Sequence, residues 1–179
     1  GQGETYALVI TACNGLWRYA IGDTVRIESV DPLKITIAGR TKHFINAFGE
    51  ELMVHNADAA LSAACAATGA SLLNYTAAPV FADGHKRGHH QWLIEWRDAP
   101  PSLDGFAREL DMALQRVNSD YQAKRSGGIF LDPPEIVTAR PGLFDSWLAS
   151  TGKLGGQRKV PRLANDRRVI DSMLEFNNK

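Results

Sequence analysis

Cysteine is nearly missing from this 179-residue chain: there are 2, Cys13 and Cys65, far apart and without metal-type spacing. A disulfide framework needs more of them, so a reducing, cytoplasmic compartment is the expectation. Charge of one sign is missing too, since 20 Lys and Arg balance 20 Asp and Glu, and nothing in that balance recommends a nucleic acid or a membrane surface as partner. No apolar run approaches the ~20 residues that span a bilayer, and the N-terminus lacks the charged-then-apolar order of a signal peptide, so the chain reads as soluble. The phosphate loop Gly-x-x-x-x-Gly-Lys-Ser/Thr is absent. No Ser/His/Asp or Cys/His grouping has a spacing that argues nucleophilic catalysis. His85, His89 and His90 share one loop, but no convincing fourth ligand stands beside them, and no metal site is expected. An initiator Met is also missing, and Gly1-Gln2-Gly3 directly before a strand suggests a piece of a longer protein.

What is present is a globular composition, 44% hydrophobic, in a length that allows one domain with an annex. Residues 5–11, TYALVIT, suit a strand, and Asn14-Gly15 is a hairpin signal leading into 16–19. With 24–30, a turn at Asp31-Pro32 and 33–38, they form a small antiparallel meander. Strands with so few large apolar residues bury little alone, so they are expected to complete a sheet that belongs elsewhere. From His43 the period changes. Residues 43–48 read as a strand, the Ala-rich 50–68 as a helix stopped by Gly69, and 71–81 and 90–96 as strands, with Trp92 and Trp96 set against Leu93 between core and surface. Ser102 caps a helix on which Leu103, Phe106, Leu110, Leu114, Val117 and Tyr121 step by three and four. That helix leaves Asp104, Glu109 and Asp111 on its wet side and ends in Lys124-Arg125 before Gly127-Gly128. Residues 129–140 hold a last strand, interrupted near Pro133-Pro134 and therefore at an edge. Short helices follow at 141–150 and 164–176. The expected fold is α+β, a mostly antiparallel sheet in β-α-β-β-α-β order with helices on both faces, preceded by a small β meander.

Two stretches carry candidate chemistry. A Gly22-Asp23 turn ahead of the alternating run Thr24-Val25-Arg26-Ile27 puts a carboxylate at a strand entrance, where it can accept two hydrogen bonds from vicinal hydroxyls such as those of a ribose. An Asp that closes a turn through its own backbone explains the same pattern. Residues 152–168 set Lys153, Arg158, Lys159, Arg162, Arg167 and Arg168 against Asp166 alone. A glycine-loosened basic loop suits phosphates, and a solvated surface loop has the same composition. Between the two lysines, Lys153 is tethered to the loose Gly155-Gly156, whereas Lys159 precedes Val160-Pro161, where the proline biases its neighbour towards extended backbone. Catalysis favours a charge held in place beforehand, so Lys159 is the stronger candidate and Lys153 the support.

The order Trp17-Arg18-Tyr19-x-x-Gly22-Asp23, Gly39-Arg40, Asn46-x-x-Gly49-Glu50, Gly88-His89-His90-x-Trp92-Leu93-Ile94-Glu95, Asn118-x-Asp120-Tyr121-x-Ala123-Lys124-Arg125 and Gly152-Lys153-Leu154-Gly155-Gly156-Gln157-x-Lys159-x-Pro161-Arg162 resembles the auxin-responsive acyl acid amido synthetases, the Gretchen Hagen family. The likeness runs over nearly the whole chain but corresponds only to the C-terminal part of such an enzyme. It implies an adenylate-forming ligase that activates a small carboxylic acid with ATP and Mg²⁺ and passes the acyl group to an amine, in this family an amino acid. It implies two parts: 1–41, the terminal strands of an N-terminal adenylation domain with the hinge, and 42–179, a C-terminal cap whose partner is that N-terminal domain. Carried over by motif, Asp23 would hold the ribose hydroxyls, Tyr19 would lie beside the nucleotide, and Arg40 would lie near the ribose or phosphates. Lys42 would sit at the hinge, and Lys159 would reach the phosphates and acyl oxygen, with Lys153 assisting. Ala20 stands where plant members usually have Arg, so the resemblance supplies no second basic contact there. The fragment alone is expected to be inactive, and strands 1–38, deprived of their sheet, to pair with a second copy. The alternative is a non-catalytic α/β module of the same fold that binds a protein or a small molecule.

Overall fold

The computed structural model describes residues 1–40, 44–84, 87–126, 131–152 and 159–178, with the backbone alone for Gly39 and Arg40. Lys42, Lys153 and His85 lie outside the described residues. Strands β1 (Thr5–Ile10), β2 (Tyr19–Val30) and β3 (Leu33–Arg40) pair antiparallel in that order as the expected meander. One expectation is corrected here: Gly22-Asp23 is not a turn but lies inside β2. Ala7 faces Thr24 and Val9 faces Ala20, so residues 21–23 bulge out opposite a single residue of β1. Gly22 makes the bulge possible with φ +87°, a conformation that only glycine takes without steric cost. Similarly, β3 does not stop at Ala38 but continues to Arg40, whose partner in register is Asp23. The meander buries Val25 yet leaves Trp17, Leu33, Ile35 and Ile37 exposed.

Past the joint, β4 (Phe44–Ile45) pairs, among the described residues, with β5 (Leu52–Met53) alone. Glu50 and Leu52 therefore do not belong to the first helix, which is α1 (Val54–Thr68), closed by Gly69 at φ +72°. Next come β6 (Ser71–Val80), β7 (His89–Asp98), α2 (Leu103–Val117), α3 (Ser119–Arg125), β8 (Glu135–Ala139), α4 (Leu143–Ser150) and α5 (Arg168–Asn177). β6 and β7 are antiparallel, while β8 lies parallel to β7 at the edge that the Pro133-Pro134 break predicts. At the other edge, Ala77 of β6 donates to the Arg162 carbonyl at 2.9 Å and accepts from the Ala164 amide at 3.1 Å, a parallel bridge centred on buried Leu163. The α+β class stands, but the strand expected to open the main sheet is outside it. The turn after Ile45 folds that strand back on β5, and residues 162–164 take the edge of β6 instead.

Helices cover both faces. One face of the sheet, with Tyr75, Ala77, Trp92 and Ile94, packs against Leu61 of α1, Phe106, Leu110 and Leu114 of α2 and Tyr121 of α3. The opposite face, with Ala78, Leu93 and Ala139, packs against Phe144 and Trp147 of α4 and Ile170 and Met173 of α5. Leu93 and Trp92 are thus both fully buried, and the expected division of this strand between core and surface does not hold. Each such side chain contributes roughly 1.5–3 kcal/mol by leaving water. Glu95, nearly buried on the second face, accepts from the Gly142 amide at 2.5 Å where α4 begins and from Asn74 Nδ2 at 2.9 Å. Ser102 caps α2 by accepting from the Gly105 amide at 3.1 Å. The expected single helix up to Arg125 is broken at Asn118, whose extended backbone (φ −144°) ends α2 and whose side chain accepts from the Tyr121 amide at 2.8 Å to start α3. No described helix is long and apolar enough to cross a membrane.

Candidate functional site

The residues singled out in the sequence divide between two places. Asp23 and Arg40 are brought together: they are direct partners across β2 and β3, at the strand end that leads into the joint. Tyr19 begins β2 four residues earlier and is exposed, 53%. Half-buried Asp23 sits beside the Gly22 bulge, an irregular point of the sheet of the kind that turns a side chain away from the regular pleat. Lys159 lies four residues ahead of the Leu163 bridge to the other sheet. It is exposed, and the chain behind it is pinned: Val160 packs against the α4–α5 core, the Pro161 carbonyl accepts from Thr76 Oγ1 at 2.7 Å, and Arg162 pairs with β6.

The surrounding basic stretch is less free than its composition implies. Arg162 Nη1 donates to Asp58 Oδ2 at 2.7 Å, with its guanidinium 5.6 Å from the Tyr75 ring centre. Arg167 donates to Gln91, to the Pro79 carbonyl and to Asp171, while Arg168 pairs with Asp166. Three of the expected phosphate cations thus pair with this chain's own acceptors, although Arg162 and Arg168 stay exposed, and Lys159 is exposed just ahead of the anchored residues 160–162.

A polar network that sequence reasoning missed lies between β7 and the α2–α3 break. Glu50 is fully buried and its Oε1 meets His90 Nε2 at 2.7 Å, while Oε2 accepts from the Phe48 amide at 2.7 Å. His90 Nδ1 finds no partner among the described residues, so the hydrogen bond to the carboxylate is made by the proton on Nε2. Burial pushes the Glu50 carboxyl up, but the His90 hydrogen bond and charge, with the amides of Glu50 and Phe48, outweigh it and hold the group below the usual range. Asn118 Nδ2 donates to the carbonyls of Glu50 and Glu51 at 2.9 and 3.3 Å. Asp111, expected on the wet side of α2, is nearly buried. The break at Asn118 lets α3 close over it, so that it accepts from Tyr121 Oη at 2.8 Å and from Arg125 Nε and Nη2 at 2.7 and 2.9 Å. Burial, then the Asp111 charge, pushes the Tyr121 hydroxyl well above its ordinary value. The signal was present in the sequence: Asn46, Gly49, Glu50, Gly88, His90, Asn118, Tyr121 and Arg125 all belong to motifs quoted above, and they converge here. The remaining loop histidine, His89, instead meets Glu135 at 3.1 Å. No group of three or more His, Cys, Asp or Glu among the described residues is disposed to hold a metal ion.

Comparison with known proteins agrees with that convergence. The profile of the GH3 family C-terminal domain matches residues 55–168, and that of the GH3 family central domain matches residues 1–40. The chain is 27% identical to the probable indole-3-acetic acid-amido synthetase GH3.1 of Oryza sativa subsp. japonica, over 94% of this chain and 29% of the relative. It is 28% identical to the indole-3-acetic acid-amido synthetase GH3.10 of Arabidopsis thaliana, over 94% of this chain and 30% of the relative. Among solved structures, a GH3.15 acyl acid amido synthetase shares the fold with a TM-score of 0.77 and 22% identity, over 99% of this chain and 33% of that one. The same fold appears, with a TM-score of 0.75 and 21% identity, in the AtGH3.15 acyl acid amido synthetase in complex with 2,4-DB. The chain spans about 30% of the length of the curated relatives it matches. With the C-terminal domain profile covering well over half of its residues, and the family's motif residues meeting in one buried network, the chain belongs to the GH3 family.

Proposed function

We propose that this chain is the C-terminal part of an ATP-dependent acyl-acid amido synthetase, with residues 1–41 completing the adenylation domain and 42–179 acting as its cap. The observation that carries the reading is Asp23 set directly opposite Arg40, beside a strand bulge at the joint. An aspartate paired in backbone register with an arginine supplies the residue types that suit the ribose hydroxyls and phosphates of ATP, with exposed Tyr19 on the same strand. The substrate acid attacks the α-phosphorus through a carboxylate oxygen, the bond to pyrophosphate breaks, and an acyl-adenylate forms. An amine, in this reading an amino acid's, then attacks the acyl carbon, loses a proton and expels AMP. Mg²⁺ would travel with the nucleotide phosphates. Lys159 supplies positive charge on an anchored backbone when the cap turns in for the first step, with Lys153 in support and Lys42 at the pivot. A reducing, cytoplasmic setting goes with this chemistry and with two distant free cysteines.

The test is ATP–pyrophosphate exchange by the longer protein that carries this chain, screened over small carboxylic acids. Lys159→Ala should slow the exchange by roughly 10²-fold or more, the scale for one oriented electrostatic group, and leave amide formation from supplied acyl-adenylate largely intact. A larger loss from Lys153→Ala reverses the two roles. Absence of exchange with every acid returns the chain to a binding module of the same fold.

A further inference from the structure

The turn between β4 and β5 is tied to three separate parts of the molecule. The Asn46 amide donates to Asn165 Oδ1 at 2.7 Å, while Asn46 Oδ1 accepts from the Glu51 amide at 3.1 Å. Below it Glu50 is held by His90 of β7, and Asn118 grips the carbonyls of Glu50 and Glu51 from the α2–α3 break. The Phe48 ring lies where a Cβ on Gly88 would come within 2.3 Å of it, so the close seating depends on that glycine. Gly49 and Glu51 both lie at positive φ, +81° and +39°. For Glu51 this is a strained conformation, which persists only where the surroundings over-determine it.

Asn165 lies six residues past Lys159, and the strip between them is fixed to β6 through Thr76 and Ala77. We infer that turn 46–51 is a transmission element: it joins the strand leaving the joint to the strip that carries Lys159, and Asn165 is a positioning residue acting through the Asn46 amide. This role rests on the proposed reaction, whereas the clamp itself does not. Rotation at the joint delivers Lys159 to a defined place only if no slack lies between the two. Asn165 is exposed, so removing its side chain loosens that connection without opening the core.

Two readouts separate the clamp from the reaction. Amide hydrogen exchange at Asn46 in this 179-residue chain should quicken in Asn165→Ala by about tenfold, the cost of one hydrogen bond. In the longer protein the same change should lower the kcat of ATP–pyrophosphate exchange by roughly 10-fold to 10²-fold, the scale of a small misplacement of a reacting group, with KM for ATP within about twofold. Asn165→Asp keeps the accepting oxygen and should restore both. Unchanged exchange at Asn46 overturns the clamp. Quickened exchange with unchanged kcat, or failure of Asn165→Asp to restore kcat, overturns the positioning role. A longer protein that makes no acyl-adenylate with any acid overturns the reaction and this role with it, while the Asn46 amide still decides the clamp.

Discussion

Glu50 shows how much one buried carboxylate can govern. Removing its partner leaves an uncompensated charge in the core, so His90→Leu should destabilise the fold by about 3–5 kcal/mol, seen as a lower urea midpoint. Because the folded-state pKa of Glu50 lies below its unfolded value, the native state binds fewer protons than the unfolded chain in the acid range. The stability it contributes is therefore complete above about pH 4.5 and is lost as the pH falls through the depressed folded value. A urea midpoint that drops between about pH 5 and 3 in the wild type, and drops less in Glu50→Gln, is the expected result; equal slopes would remove Glu50 from the account. Asp23 is tested by affinity rather than stability. Asp23→Asn keeps the size but loses a charged acceptor, so ATP binding by the longer protein should weaken by about 1.5–3 kcal/mol. Unchanged ATP dependence would leave Asp23 as a bulge residue only.

Among elements, the contact between the 46–51 turn and the start of β7 is the most sensitive to volume. The tight seating of Phe48 over Gly88 leads us to expect that Gly88→Ala costs about 1–3 kcal/mol, the usual penalty of overpacking, measurable as a shift in denaturant midpoint. A loss under ~0.5 kcal/mol would mean that the Phe48 ring swings aside, since a surface change has that size. The α2–α3 break depends on a single side chain, for Asn118 caps α3 and holds two carbonyls of the turn at once. Asn118→Ala should therefore exceed the ~1 kcal/mol of an ordinary cap, whereas Ser102→Ala at α2 should stay near that value.

At the scale of the whole molecule, the two sheets differ in how they meet water. The β6–β8 sheet is packed by helices on both faces, while the meander carries Trp17, Leu33, Ile35 and Ile37 in the open, with Trp17 79% and Ile37 77% exposed. Apolar surface of this kind marks a contact region, and in the proposed reading the adenylation domain covers it. The chain by itself should accordingly associate through these strands as its concentration rises, as followed by light scattering. A strict monomer at all concentrations that binds no hydrophobic dye would sink that expectation. In either case the isolated chain should show no ATP–pyrophosphate exchange.

Much of this was legible in the residues. The period of the apolar positions announced α1, α2 and the strands β6 and β7, because one-sided burial imposes a repeat of 3.6 or 2 on any sequence that folds this way. Gly69 and Ser102 marked their helix ends, since capping is a local matter of φ and one hydrogen bond. Six ordered motifs carried the family. Tertiary structure alone decided the rest. Nothing local distinguishes Gly22-Asp23 in a turn from Gly22-Asp23 in a bulge, because the difference lies in what β1 offers opposite. Asp111 looks like a surface carboxylate until α3 folds over it, and Glu50 like a residue of a helix's first turn until His90, 40 residues away, takes its oxygen. Strand pairing at the edge of β6 was likewise settled by residues 162–164, whose claim to that edge over residues 44–45 depends on long-range backbone partners that no short window of sequence contains.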